Sequence, residues 1–206
     1  MTIASYLIIC FLAPTIVLLN FRLLATSDNF YQKEFEKLGV YDVLEKNTAR
    51  VQSKNLIDYL CCSGKLDTEF FTERERLHLT DVKALIKQAQ LLLFINLVLV
   101  TTISLAFLLK RKQEALFSAV KTGAIVGLGA IFILALSSLI NFDFLFVKFH
   151  LISFTNDLWL LPPESNLIKL FPQRFFQDLA NRVAAQSIMM LILVFVVANW
   201  LSRKLK

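Results

Sequence analysis

Four long apolar blocks decide what this 206-residue chain can become. They cover 3–19, 89–109, 122–140 and 183–201, and hydrophobic residues make up 56% of the whole. A run of roughly 18 or more apolar residues is what crosses a hydrocarbon core about 30 Å thick. Inside lipid no water is available for backbone N–H and C=O groups, so each block must satisfy them internally, as a helix does. The blocks therefore predict an all-α polytopic membrane protein: one membrane domain over 1–206 with four transmembrane helices and a mostly helical extracytoplasmic layer. Pro14 near the middle of the first block removes one backbone donor and predicts a kink there.

The charges orient these spans. The 110–121 connection and the tail after the fourth block carry seven bases (Lys110, Arg111, Lys112, Lys121, Arg203, Lys204 and Lys206) against one acid, Glu114. That excess equals the net charge of the chain, +6. The 20–88 and 141–182 connections each balance, eleven acids against eleven bases and four against four. Under the positive-inside rule both termini and 110–121 are cytoplasmic, and the two long connections are extracytoplasmic loops of a multi-pass cell-membrane protein. The basic balance is thus a signal of topology and implies no nucleic-acid partner. The first block lacks a basic leader and a small-residue cleavage site, and Ile8 and Ile9 precede Cys10 where lipidation needs a small residue, so it is expected to be retained. Cys61 and Cys62 are adjacent, a spacing that rarely meets disulfide geometry, and the three cysteines are expected to be apolar packing residues without a zinc site.

The first outer loop is too long to lack structure of its own. Ser27 or Asp28 caps an expected helix through Leu38 that stops at Gly39, and a second amphipathic stretch covers 41–63. Thr72 and Glu75 form a capping box, opening a helix that carries His78 and Asp81 and runs on into the second span. At 3.6 residues per turn Glu75, His78 and Asp81 share a face, so a carboxylate is placed to orient the imidazole. Beyond the third span, helical spacing puts Phe142, Phe146 and His150 in one row among aromatics suited to the membrane boundary; a strand through Phe142, Phe144 and Phe146 is the alternative. Pro162 and Pro163 break that segment, and Pro172 falls in the first turn of the last helix.

His78 and His150 are the only histidines. Histidine exchanges protons near neutrality, with an ordinary pKa of about 6.5. Both are expected on the outer side, each anchored to a span, which makes them a candidate catalytic pair. A solvated surface helix around His78 is the plainer reading of its carboxylate neighbours. Arg22 and Arg174, near the same boundary, read as snorkelling side chains.

The run Thr72–Lys83 resembles an E-x-x-H-[ML]-x-D-V-K motif through Glu75, His78, Asp81, Val82 and Lys83. A second run, Phe149, His150 and Phe154 followed by Asn156, Asp157, Trp159 and Leu170, Phe171, Pro172, resembles a partner motif. On a four-span chain of this length the pair resembles the lipoprotein intramolecular transacylase family of Gram-positive bacteria. The chain departs from that pattern over Leu161, Pro162, Pro163 and Glu164, where the family usually has an acidic residue before proline.

The resemblance implies a substrate, a lipoprotein whose N-terminal cysteine carries an S-linked diacylglyceryl group. It implies transfer of one acyl chain from the glyceryl sn-2 oxygen to the α-amino group of that cysteine, giving a lyso-form lipoprotein, with membrane lipid as surroundings and no cofactor or metal. His78 is then the expected base, oriented by Asp81 or Glu75, and His150 the acid or oxyanion partner. Asn156 and Trp159 are candidates for holding the glyceryl or peptide portion of the substrate, with anchoring at the membrane interface as the alternative. General acid–base catalysis is worth about 10²–10⁴ in rate, and a well-aligned intramolecular reaction reaches effective molarities of roughly 10⁵–10⁸ M, so no protein nucleophile is required. That agrees with the lack of a G-x-S-x-G elbow. Two other classes compete: a non-enzymatic subunit binding a partner through its outer loops, and a metal- or haem-binding protein using both histidines, although no H-E-x-x-H spacing is present.

Overall fold

The computed structural model describes residues 2–62 and 64–205. Among them the chain forms helices and no strands: α1 Ile3–Ala25, α2 Asp28–Lys37, α3 Val40–Val43, α4 Lys46–Cys61, α5 Glu73–Leu109, α6 Gln113–Ile140, α7 Phe142–Ser153, α8 Asn166–Leu170 and α9 Gln173–Lys204. Among the described residues α1, α5, α6 and α9 are the helices long and apolar enough to cross a membrane. Each contains one of the four apolar blocks.

The chain divides into two compact units, one of Met1–Arg22, Gln90–Ser137 and Asn181–Lys206, the other of Leu23–Ala89 and Ser138–Ala180. The first unit is held by close helix approach. Ile8 of α1 packs with Phe107, Leu116 and Ala119, and Leu12 and Ile16 pack with Ala124, Ile131 and Leu191. Lipid tails are as apolar as leucine, so association there depends on fit and on small residues that admit the neighbouring backbone. Gly123 and Gly127 supply them: a Cβ on Gly123 would lie 3.1 Å from the Ile9 Cα, and one on Gly127 would lie 2.5 Å from the Ala13 Cβ. Asn20 adds a buried polar tie, donating to the Ile16 carbonyl at 3.0 Å and to Ser187 Oγ at 3.1 Å. Between α5 and α6 the chain reverses in a Schellman turn. The Lys112 N–H donates to the Phe107 carbonyl, the Arg111 N–H donates to that of Leu108, and Arg111 takes φ +53° in the left-handed position.

The second unit has an aromatic core. Phe30, Tyr31 and Phe35 of α2 meet Phe171 and Phe175, with Tyr31 and Phe175 centroids 5.1 Å apart and Phe35 and Phe171 5.6 Å apart. An ion pair from Lys37 to Asp178 at 2.7 Å adds a polar contact at its edge. Ser27 caps α2 and Gly39 (φ +69°) follows its end, as their chemistry dictates.

Two expectations need correction. The 41–63 stretch is two helices, because Glu45 accepts from the N–H groups of Asn47 and Thr48 and starts α4 afresh; its last residue, Ser63, lies outside the described residues. Cys61 and Cys62 are joined as a vicinal disulfide at the end of α4, and Cys10 is exposed, so the cysteines are not core packing residues. Adjacent spacing makes such a pairing rare without forbidding it. The aromatic row after α6 is helical, as α7, and the strand alternative is not adopted.

Candidate active site

The site lies within the second unit, where the first turns of α5 and the end of α7 come together. Thr72 and Glu75 start α5 as a capping box: the Thr72 N–H and Oγ1–H donate to Glu75 Oε2 at 2.7 and 2.8 Å. The other carboxylate oxygen of Glu75 accepts from the Leu167 N–H of α8 at 2.7 Å. Glu75 is fully buried. Its carboxylate ties the start of one helix to the start of another, and this three-donor commitment takes it away from the imidazole it was expected to orient.

His78, one turn further along α5, is 7% exposed, and His150 of α7 is 8% exposed. Their ring centroids are 6.2 Å apart with planes inclined by 30°. The sequence separates them by two spans and the 110–121 connection; the fold puts them side by side. Aromatic rings enclose His150: Phe146 at 4.3 Å, Trp159 at 4.8 Å and Phe154 at 5.6 Å between centroids. Phe154 also meets His78 edge-on at 5.2 Å. Trp159, expected to hold substrate, lies against the His150 ring.

Hydrogen bonding separates the two rings. His150 Nδ1 lies 2.7 Å from the Phe146 carbonyl oxygen. A carbonyl only accepts, so Nδ1 carries the proton and the neutral ring keeps its lone pair on Nε2. This partner could not be read as such from side-chain types, because it is a backbone group; only the i, i−4 relation on a helix points to it. His78 Nδ1 is buried without a hydrogen-bond partner among the described residues. Burial, then the neighbouring His150, push the His78 pKa down to about 4, with the Asp81 carboxylate opposing. Burial also lowers the pKa of His150, and its bond to the Phe146 carbonyl acts in the opposite direction. Both imidazoles are neutral at neutral pH.

Asp81 acts on His78 through its charge and not through a hydrogen bond. Its Oδ2 accepts from Asn156 Nδ2 at 2.9 Å, and Asn156 Oδ1 in turn accepts from the Leu158 N–H. Arg74 donates to the Asp157 carbonyl, fixing the same loop. Among the described residues no group of three or more His, Cys, Asp or Glu side chains could hold a metal ion.

Two buried, neutral imidazoles side by side in a helical membrane protein are a pair able to exchange protons. Residues 6–176 match the family described as lipoprotein intramolecular transacylase Lit, and the chain belongs to that family of acyltransferases. No curated protein sequence matches it. Among solved structures, the membrane integral lipoprotein intramolecular transacylase Lit from Bacillus cereus superposes with a TM-score of 0.87 at 23% identity, covering 98% of this chain and 95% of the other. Two structures of that protein with one histidine replaced, by arginine and by alanine, superpose at 0.82 and 22% identity. They cover 98% of this chain and 91% and 93% of theirs. At such identity these likenesses establish the fold, and the family rests on the 6–176 match.

Proposed function

We propose that the chain moves the sn-2 acyl group of a diacylglyceryl lipoprotein onto the α-amino group of the same N-terminal cysteine, with His78 and His150 as its proton-handling pair. The observation that carries this reading is the 6.2 Å separation of the two buried rings. An ester and an amine of one molecule fit against a pair so spaced.

His150 is the better base of the two. Its Nδ1–H is held by the Phe146 carbonyl, so its Nε2 lone pair is the one free to take a proton from the cysteine ammonium. The freed amine attacks the acyl carbonyl carbon, the C–N bond forms, and the C–O bond to the sn-2 oxygen breaks. Two protons leave the nitrogen in all: one ends on the sn-2 oxygen, the other passes to water. His78, its ring centroid 6.2 Å from that of His150, hydrogen-bonds the oxyanion or returns a proton to the departing oxygen. This reverses the order read from the sequence, which rested on a carboxylate orienting His78.

The charge distribution supports both termini on the cytoplasmic side and the histidines on the outer side, where diacylglyceryl chains anchor the substrate. The test is mass spectrometry of a lipoprotein N-terminus in cells carrying the wild-type chain, His78→Gln or His150→Asn. Wild type is expected to give an N-acyl, monoacylglyceryl cysteine, and each variant a free amine with an intact diacylglyceryl group at equal protein level. N-acylation persisting in both variants ends the reading of His78 and His150 as the proton-handling pair.

A further inference from the structure

Beside the imidazole pair runs a small cleft in the second unit, lined by Asp81, Gln88, Ser153, Thr155 and Asn156, with Phe154 among its apolar walls. Phe154 is the residue whose ring also meets His78 at 5.2 Å, so one wall of the cleft is shared with the imidazole pair. Its chemistry is unlike the aromatic surroundings of His150. It offers one carboxylate, two amides and two hydroxyls, a set that suits a cationic amine and the peptide groups next to it.

Asp81 is the only ionisable group in the lining, and among the described residues no lysine or arginine forms an ion pair with it. It is not loose either. Asn156 donates to its Oδ2 at 2.9 Å and is itself fixed by accepting from the Leu158 N–H at 3.0 Å. A half-buried carboxylate held in place by a pinned amide, without a cation of its own, is built to receive one.

We infer that this cleft is the subsite for the substrate's N-terminal ammonium and the first peptide groups after the lipidated cysteine, with Asp81 as counter-ion. The inference rests on the transacylase reading and adds how the amine is presented. An ammonium has three N–H donors. One on Asp81 leaves another free to point at an imidazole, and Asp81 stands three residues from His78, on the next turn of the same helix face. Capture by Asp81 fixes the nitrogen before its deprotonation, which is where an intramolecular transfer gains most from orientation. Gln88, Ser153 and Thr155 are left for the peptide amides, which every lipoprotein has whatever its sequence.

The experiment uses the purified full-length chain with a synthetic S-diacylglyceryl cysteinyl peptide, its N-terminus either free or acetylated. The acetylated form cannot react and serves as a competitor. Conversion of the free peptide by wild type, read by mass spectrometry, tests the reading itself; no conversion would sink both. With conversion established, wild type is expected to bind the free-amine peptide about tenfold or more better than the acetylated one, the size of a charge-assisted hydrogen bond. Asp81→Asn should erase that preference and raise KM by a similar factor, with a smaller change in kcat, and Asp81→Glu should restore part of both. A folded Asp81→Asn protein that keeps the preference and the KM would overturn the subsite while leaving the reaction standing. So would a wild type that converts peptide yet binds both forms equally.

Discussion

At the scale of single residues, the two histidines are distinguished by what surrounds them more than by where they fall in the chain. His78 sits with one ring nitrogen buried and unpaired, and its pKa is pushed down to about 4, chiefly by burial. A lowered histidine pKa has a defined consequence for stability. Between about pH 4 and the ordinary value near 6.5 the unfolded chain takes up a proton at this position and the folded chain does not. Stability contributed by neutral His78 is therefore complete above pH 6.5 and declines as the pH falls towards 4. Thermal unfolding of the wild type between pH 7 and 4 should show a falling Tm, and His78→Gln, which cannot titrate, should show a smaller fall over that window. Catalysis has the same sign, because the base has to be neutral to act. The acidic limb of the rate profile is expected below pH 6.5, since burial lowers the pKa of both rings. A limb at or above that value would mean that the base is solvated and lies elsewhere.

At the scale of elements, the helices were largely legible and their side-by-side fit was not. The apolar blocks, the Thr72–Glu75 capping box, Ser27 before α2 and Gly39 after it all act within a few residues of where they stand, so periodicity and capping chemistry suffice to read them. The break between α3 and α4 was missed because a glutamate at Glu45 serves as the cap, a role more common for serine, threonine or aspartate. The hydrogen-bond partners of Glu75 and Asp81 were not legible for a different reason. Spacing along a helix says which side chains share a face, but the Leu167 N–H and the Asn156 amide come from sequence-distant segments that no periodicity reveals. The α1–α6 contact belongs with these. Gly127 has no room for a methyl group against Ala13, whereas a Cβ on Gly129 meets nothing within 4 Å. Gly127→Val should therefore destabilise the protein by about 1–3 kcal/mol, the usual cost of overpacking. Gly129→Ala should be neutral or slightly stabilising, since alanine is the better helix former. Detergent thermal-shift measurements on the pair check this, and equal effects from the two substitutions would mean that the glycines of α6 serve helix flexibility and not close approach.

At the scale of the whole molecule, the charge pattern and the position of the histidines make one joint demand. The 110–121 connection carries Lys110, Arg111, Lys112 and Lys121, while both long connections are neutral. If these bases fix the orientation, the paired imidazoles face the side on which diacylglyceryl lipoproteins are anchored, and substrate reaches them without crossing the bilayer. Single cysteines introduced at Lys54 and at Lys112, in a background with Cys10, Cys61 and Cys62 replaced, report this through a membrane-impermeant maleimide applied to intact cells. Residue 54 is expected to be labelled from outside, and residue 112 only after the membrane is opened. Exchanging the basic cluster for glutamines should then reduce the correctly oriented fraction. Lipoprotein N-acylation should fall in the same proportion, because an inverted molecule carries an intact pair of histidines on the wrong face. Loss of orientation without loss of N-acylation would mean that the outer-face chemistry does not use His78 and His150, which would then have to be reassigned to the aromatic packing in which they sit.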